Sequence, residues 1–236
     1  MVGIGAALFA AGCGSSSTQS VASEPALSAG GSEIGTVSDS ADADRDEVGL
    51  DATRCIVRLH GKGGSGDATS VDDQGVRSVM PTGNAEAWGG RQWLYFPDDR
   101  YDEARDVVSR ALEAEGCGVA VVNGFSNGAA FAASLLCAGE TFGDIVQGYV
   151  IDDPVTDTAT ADCAPPVDVE RALYWTSAID QPVGTDCGQI DWTCAGGTTV
   201  DIETYAAGLE TEVIESPNTD HAWYRDAPEI IAFLES

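Results

Sequence analysis

The sequence predicts an α/β fold, a three-layer sandwich with helices on both faces of a mostly parallel sheet of about six strands. Three observations lead there. Short apolar runs bounded by turn residues alternate with segments of helical spacing along residues 51–236. At one point the alternation is compact: Val119-Ala120-Val121-Val122 runs into Gly124-Phe125-Ser126-Asn127-Gly128, then into Ala129-Ala130-Phe131-Ala132-Ala133. That is a strand, a tight turn and a helix of small residues. Finally, 236 residues at 43% hydrophobic composition suffice for one core, so a single domain is expected.

Strands are expected over 54–59, 76–80, 118–122, 147–151, 172–176 and 212–215, each an apolar run between turn signals. Residues 101–115 carry Ala104, Val107, Val108, Ala111 and Leu112, the stripe of an amphipathic helix. Further helices are expected over 126–137 and 227–234. Strands alternating with helices in this way pair in parallel and bury both faces of the sheet.

Residues 1–13 stand apart from this pattern. Met1 to Gly12 is small and apolar, too short to span a bilayer, and ends in Phe9-Ala10-Ala11-Gly12-Cys13. This resembles a bacterial lipoprotein signal, which implies export and a lipid anchor on Cys13. An ordinary signal peptide shares the same small apolar run. Residues 14–50 are rich in Ser, Gly, Ala, Asp and Glu and cannot bury enough apolar surface to offset their ordering entropy, so they read as a flexible tether. Asp42, Asp44, Asp46 and Glu47 lack the glycine and closing glutamate of a calcium loop and read as a solvated charge run.

Eleven basic residues against 39 acidic ones leave a formal charge of −28. Such a surface repels phosphate backbones, which excludes nucleic acid as a partner, and it opposes self-association, so a monomer is expected. It would suit a high-salt medium, where screening relieves self-repulsion. No CxxC or His-rich spacing points to a structural metal, and no cofactor is called for.

The turn at Ser126 carries the chemistry. A serine between strand and helix, flanked by glycines, lifts its hydroxyl clear of the sheet while strand and helix pack closely. To act as a nucleophile, that hydroxyl needs a base, and histidine is the side chain suited to the task near neutral pH. The chain has two, His60 and His221. The histidine in turn needs a carboxylate to fix its tautomer. Among 39 acidic residues only position can discriminate.

Three segments together resemble the α/β-hydrolase family from Asp51 to the C-terminus: Leu59-His60-Gly61-Lys62-Gly63-Gly64 after the first strand, the Ser126 turn, and His221 before the last helix. The likeness is to small, cap-less members such as cutinase-like esterases, dienelactone hydrolases and polyhydroxyalkanoate depolymerase-like lipoproteins. It implies Ser126 as nucleophile, His221 as general base, and an oxyanion hole of backbone N–H groups from Asn127 and from Lys62 or Gly61. It leaves His60 to hold its turn through structural hydrogen bonds. Asp180, in the loop after the strand at 172–176, is the implied acid, with Asp152 and Asp153 as the fallback. The chain order Ser126, Asp180, His221 is that of the family.

The family's loops at the carboxyl ends of the strands surround the active site. The resemblance therefore implies that Trp88, Trp93, Trp192 and Trp223 line an apolar substrate site, although they would equally cover the core. The segment 153–170 is too short for an inserted cap, which leaves the site open to bulky or polymeric esters. Six cysteines besides Cys13 read as a disulfide set in an exported chain. The family's strand order makes the strands beginning at Cys55 and Cys117 neighbours, supporting that pair. Cys187 with Cys194 would close a short loop, leaving Cys137 for Cys163. The activity implied is hydrolysis of carboxylic esters through an acyl-enzyme. Peptidase, thioesterase and acyltransferase activities share the machinery, and a non-catalytic binding lipoprotein on the same scaffold is the alternative.

Overall fold

The computed structural model describes residues 52–96, 98–155, 163–176, 202–218 and 220–235. Nine strands and four helices follow in order: β1 (Arg54–Leu59), β2 (Asp67–Val71), β3 (Arg77–Met80), β4 (Ala85–Ala87), β5 (Gly90–Gln92), α1 (Asp98–Glu115), β6 (Val119–Phe125), α2 (Asn127–Cys137), β7 (Val146–Asp152), β8 (Glu170–Trp175), α3 (Ile202–Leu209), β9 (Glu212–Glu215) and α4 (Pro228–Glu235). Seven strands make one sheet in the order β2-β3-β1-β6-β7-β8-β9. Every pairing in it is parallel except that of the edge strand β2 with β3.

Alternation along the strands sorts the side chains onto two faces. Cys55, Val57 and Leu59 of β1, Val122 of β6 and Ile151 of β7 join one core with Ala104, Val108 and Leu112 of α1, most of α2, and Tyr205 and Leu209 of α3. Val150 of β7 and Tyr174 of β8 face the other way and pack with Ile230 and Leu234 of α4. Helices thus cover both faces, the three layers expected. The α1 residues recur at every fourth position, so one stripe meets the sheet. In α2 the five residues Ala129–Ala133 are fully buried. The short side chains of its four alanines let the helix lie close against β6 and β7, and Phe131, Leu135 and Leu136 fill the remaining space. Truncating Phe131 to Ala would cost about 3–5 kcal/mol.

The sheet has one strand more than expected. β2 reads Asp-Ala-Thr-Ser-Val and is almost entirely exposed, so it carries no apolar alternation. Its position at an edge, paired on one side only, explains how so polar a strand persists. The hairpin β4–β5, with strands of three residues, is also additional. So is α3, whose Ile202, Tyr205, Ala206 and Leu209 do follow helical spacing.

Among the described residues there are two disulfides, Cys55–Cys117 and Cys137–Cys163, two of the three pairs expected. Cys187 and Cys194 lie outside the described residues, as do Cys13 and the 14–50 segment. Disulfides belong to oxidising compartments. Among the described residues no helix is long and apolar enough to cross a membrane.

Candidate active site

The turn between β6 and α2 owes its shape to its glycines. A Cβ on Gly124 would overlap the carbonyl of Gly128, and one on Gly128 would overlap the carbonyl of Leu59 at the end of β1. Only hydrogen fits at either place, so strand, helix and neighbouring strand close on the turn without a side chain between them. Ser126 at its apex has φ 55° and ψ −116°, a backbone state that costs of order 1–3 kcal/mol for a non-glycine residue. It stands at the N-cap of α2, where a serine hydroxyl ordinarily bonds the helix backbone, yet it makes no such bond. Its Oγ points to His221 Nε2 instead, at 2.9 Å.

The other imidazole nitrogen of His221, Nδ1, lies 2.6 Å from Asp153 Oδ2. With Nδ1–H donating to the carboxylate, Nε2 is left as an acceptor for the Ser126 hydroxyl. Asp153 follows β7 directly, with φ 47°, and is wholly buried. Its N–H donates to Tyr174 O at 2.7 Å, and its Oδ1 accepts from Thr176 N at 3.2 Å. Ser126 N to Asp152 O (3.1 Å) and Val155 N to Ser126 O (3.3 Å) tie this turn to the serine turn on both sides. The His221 side chain is 42% exposed, and its ring packs against Phe125, which stacks on Trp223 at 5.8 Å.

Asp180 and Trp192 lie outside the described residues. The carboxylate set against His221 is Asp153, one of the fallback pair. Its neighbour Asp152 points the other way, into the α4 side of the sheet. It too is fully buried, and among the described residues neither carboxyl oxygen has a hydrogen-bond partner. Burial, and then the charge of Asp153, push its carboxyl up to about 8, against the pull of Arg58. Arg58 is itself buried, with Nε donating to Ser78 Oγ (3.0 Å) and an Nη to Asn123 Oδ1 (3.2 Å).

The turn after β1 lies beside the serine: a Cβ on Gly61 would sit 3.2 Å from Ser126 Cβ and 3.1 Å from the Phe125 ring. His60 holds this turn. Its Nε2 accepts from Gly83 N (3.1 Å), so Nδ1 carries the proton and donates to Gly61 O (2.8 Å). Burial pulls its imidazole below the ordinary histidine pKa, the bond to Gly61 opposes this, and Arg91 adds to the lowering. The β4–β5 hairpin docks here as well, with Gly63 N donating to Arg91 O and Arg91 N to Gly64 O.

The three expected tryptophans among the described residues part company. Trp93 is 1% exposed, stacked on Phe131, with Nε1 donating to His60 O, so it is a core residue and not a wall of the site. Trp88 is 84% exposed at the hairpin tip, with its backbone against Gly63. Trp223 stands beside Phe125 on the rim. One contact had no signal in the sequence: the Asn127 amide accepts from Trp93 N (2.7 Å) and donates to Trp93 O (3.1 Å), tying the residue after the serine to the hairpin segment. Among the described residues no group of His, Cys, Asp and Glu is placed to hold a metal.

No protein-family model and no curated protein matches the chain. Solved structures do resemble it. One is the protein Atu2452 of unknown function from Agrobacterium tumefaciens str. C58, 15% identical, at a TM-score of 0.50 over 78% of this chain and 89% of that one. A predicted CIB-like hydrolase from Thermoplasma acidophilum is 16% identical, at a TM-score of 0.49, over 80% and 87%. An esterase from Pyrococcus furiosus is 13% identical, at 0.49, over 78% and 81%. At such identities the likeness is one of fold. The fold is α/β, a mostly parallel seven-stranded sheet with helices on both faces.

Proposed function

We propose that this chain is a serine hydrolase of carboxylic esters, with Ser126 as nucleophile, His221 as general base and Asp153, in place of Asp180, as the acid. The observation that carries the reading is the continuous relay from Ser126 Oγ through His221 to Asp153, at 2.9 and 2.6 Å. A surface serine and histidine meeting by accident would not be backed by a fully buried carboxylate on the second nitrogen.

In this reading Ser126 Oγ attacks the ester carbonyl carbon while its proton passes to His221 Nε2. Asp153 stabilises the resulting imidazolium and keeps Nε2 aimed at the serine. Backbone N–H groups of Asn127 and of Gly61 or Lys62 would receive the oxyanion, a role supported by the approach of Gly61 to Ser126. The C–O bond to the leaving group then breaks, and the departing oxygen takes the proton from His221. A water deprotonated by His221 attacks the acyl carbon, the acid is released, and Ser126 regains its proton. Peptidase, thioesterase or acyltransferase chemistry would use the same steps. No cap is proposed over the site, and the exposed Trp88 is assigned to its rim. Export, with a lipid anchor on Cys13, is part of the same reading; the disulfides support export.

A fluorophosphonate probe tests the reading. Wild type should be labelled and should hydrolyse p-nitrophenyl esters, and Ser126→Ala should do neither. A folded wild type that is not labelled would make the chain a binding protein on this scaffold.

A further inference from the structure

Beside the serine turn lies a cavity of about 610 Å³, lined among others by Gly61, Lys62, Phe125, Trp223 and Arg225. Two of its lining residues border the serine turn, Gly61 close to Ser126 Cβ and Phe125 against the His221 ring, so the cavity lies next to the turn, although neither Ser126 nor His221 lines it. Its charge is out of character with the rest of the chain. The protein carries −28, and Lys62 is its only lysine. Lys62 has no ion-pair partner among the described residues. Arg225 lies over the Trp223 ring at 5.9 Å, and its nearest carboxylate, Asp226, is 3.7 Å away in an exposed pair of little energy. Among the described residues one acidic residue lines the cavity, Asp67, whose Oδ1 accepts from Ala68 N.

An anion nearing this molecule is repelled by nearly all of its surface. Lys62 and Arg225, both lining a cavity beside the serine turn, oppose that field locally. Trp223 and Phe125 add a stacked apolar wall. The geometry points to an ester that itself bears a carboxylate, bound with the carboxylate between Lys62 and Arg225 and its apolar body along Trp223. This deepens the hydrolase reading and rests on it. Lys62 then has two parts: its backbone belongs to the turn facing the oxyanion, and its ammonium to substrate selection. The products are a dicarboxylate when the charge is on the acyl side, or a hydroxy acid when it is on the alcohol side.

Two pairs of esters test this: mono-p-nitrophenyl glutarate against p-nitrophenyl pentanoate for the acyl side, and 4-acetoxybenzoate against phenyl acetate for the alcohol side. The readout is the ratio of kcat/KM, charged over neutral, in wild type, Lys62→Gln and Arg225→Gln, so that intrinsic reactivity cancels between proteins. In at least one pair the ratio should fall about tenfold in each variant, the size of one charge-assisted contact, and should shrink in 1 M salt. Ratios within twofold of wild type in both variants and both pairs overturn the proposal. Calorimetric titration of Ser126→Ala with 3-phenylpropanoate and with 3-phenylpropanol separates this outcome from failure of the hydrolase reading. Binding of the acid alone, weakened by Arg225→Gln on the same background, upholds the anion site even in a protein that cleaves nothing. Equal binding of acid and alcohol, or no binding of either, overturns it.

Discussion

The two histidines occupy neighbouring turns at the same end of the sheet and live in opposite surroundings. His60 is buried, and both of its ring nitrogens are spent on backbone groups, Gly61 O and Gly83 N. His221 is partly exposed, and its nitrogens face a hydroxyl and a carboxylate. The residue type is the same; its partners differ. A ring bonded to backbone on both sides can move no proton without undoing a turn, whereas one between Oγ and a carboxylate can take and return a proton with its position unchanged. Role is therefore set by what the nitrogens meet, and the contrast can be attacked experimentally from either side.

The largest effect is expected at the His221 end. Ser126→Ala and His221→Ala should each lower kcat on a p-nitrophenyl ester by about 10⁴-fold or more, and the double variant little further, because the two act as a unit. Their melting temperatures should stay near that of wild type. Asp153→Asn should cost up to about 10⁴-fold by the same assay, since an amide can hold the wrong tautomer, whereas Asp152→Asn should stay within a few-fold. Equal losses at 152 and 153 would move the acid's role off Asp153.

At the His60 end the effect should appear in stability. His60→Ala leaves Gly83 N and Gly61 O unpaired in a buried turn and opens a cavity, which predicts a loss of about 2–4 kcal/mol in urea unfolding. The kcat of the molecules that remain folded should fall much less than in His221→Ala. A stable but inactive His60→Ala would erase the contrast.

Taken per pH unit, the smallest expected effect is in the pH dependence of unfolding. The native His60 binds its proton less readily than the unfolded chain, so stability falls as pH drops through the ordinary histidine range. Asp152 acts in the other direction. Its folded carboxyl titrates at about 8, from a model-peptide value of 3.8, so between these values the native state keeps a proton that the unfolded chain releases. Stability then declines as pH rises across that window, by at most about 1.4 kcal/mol per pH unit. Asp152→Asn should remove the decline between about pH 4 and 8, and His60→Gln the loss on the acid side of the histidine range. Urea titrations from pH 4 to 9 would show either.

Legibility in the sequence followed burial. β1, β3, β6, β7, β8 and the helices α1, α2 and α4 could be read because each presents an apolar face to a core, and β9, an exposed edge strand, because it still carries the apolar pair Val213-Ile214. β2 could not, because an exposed edge strand needs none, and β4–β5 is too short to show a period. The α3 spacing was there to be seen. In the site, Ser126 and His221 stand out because glycine crowding marks one and scarcity of histidine marks the other. The carboxylate does not. Asp180 had a favourable place in the chain, but the contact in the structure depends on Asp153 adopting φ 47° just after β7, and that turn has no compositional mark. The amide clasp of Asn127 on Trp93 escaped for the same reason. Contacts between distant segments leave no local pattern, while Trp93 showed an aromatic that composition alone places equally well in a core or at a rim.

The cross-links stand at the far pole from the reacting groups. Cys55 and Cys117 open β1 and β6, and Cys137 closes α2 about 16 Å of helix away from Ser126, whereas His60, Ser126 and Asp153 all follow strand ends at the opposite rim. Loops of 62 and 26 residues are closed by these bonds, constraints on the unfolded chain of roughly 3–4 kcal/mol each. A thiol reductant would thus make the molecule melt earlier while leaving its turnover at moderate temperature intact, so durability and chemistry can be adjusted separately.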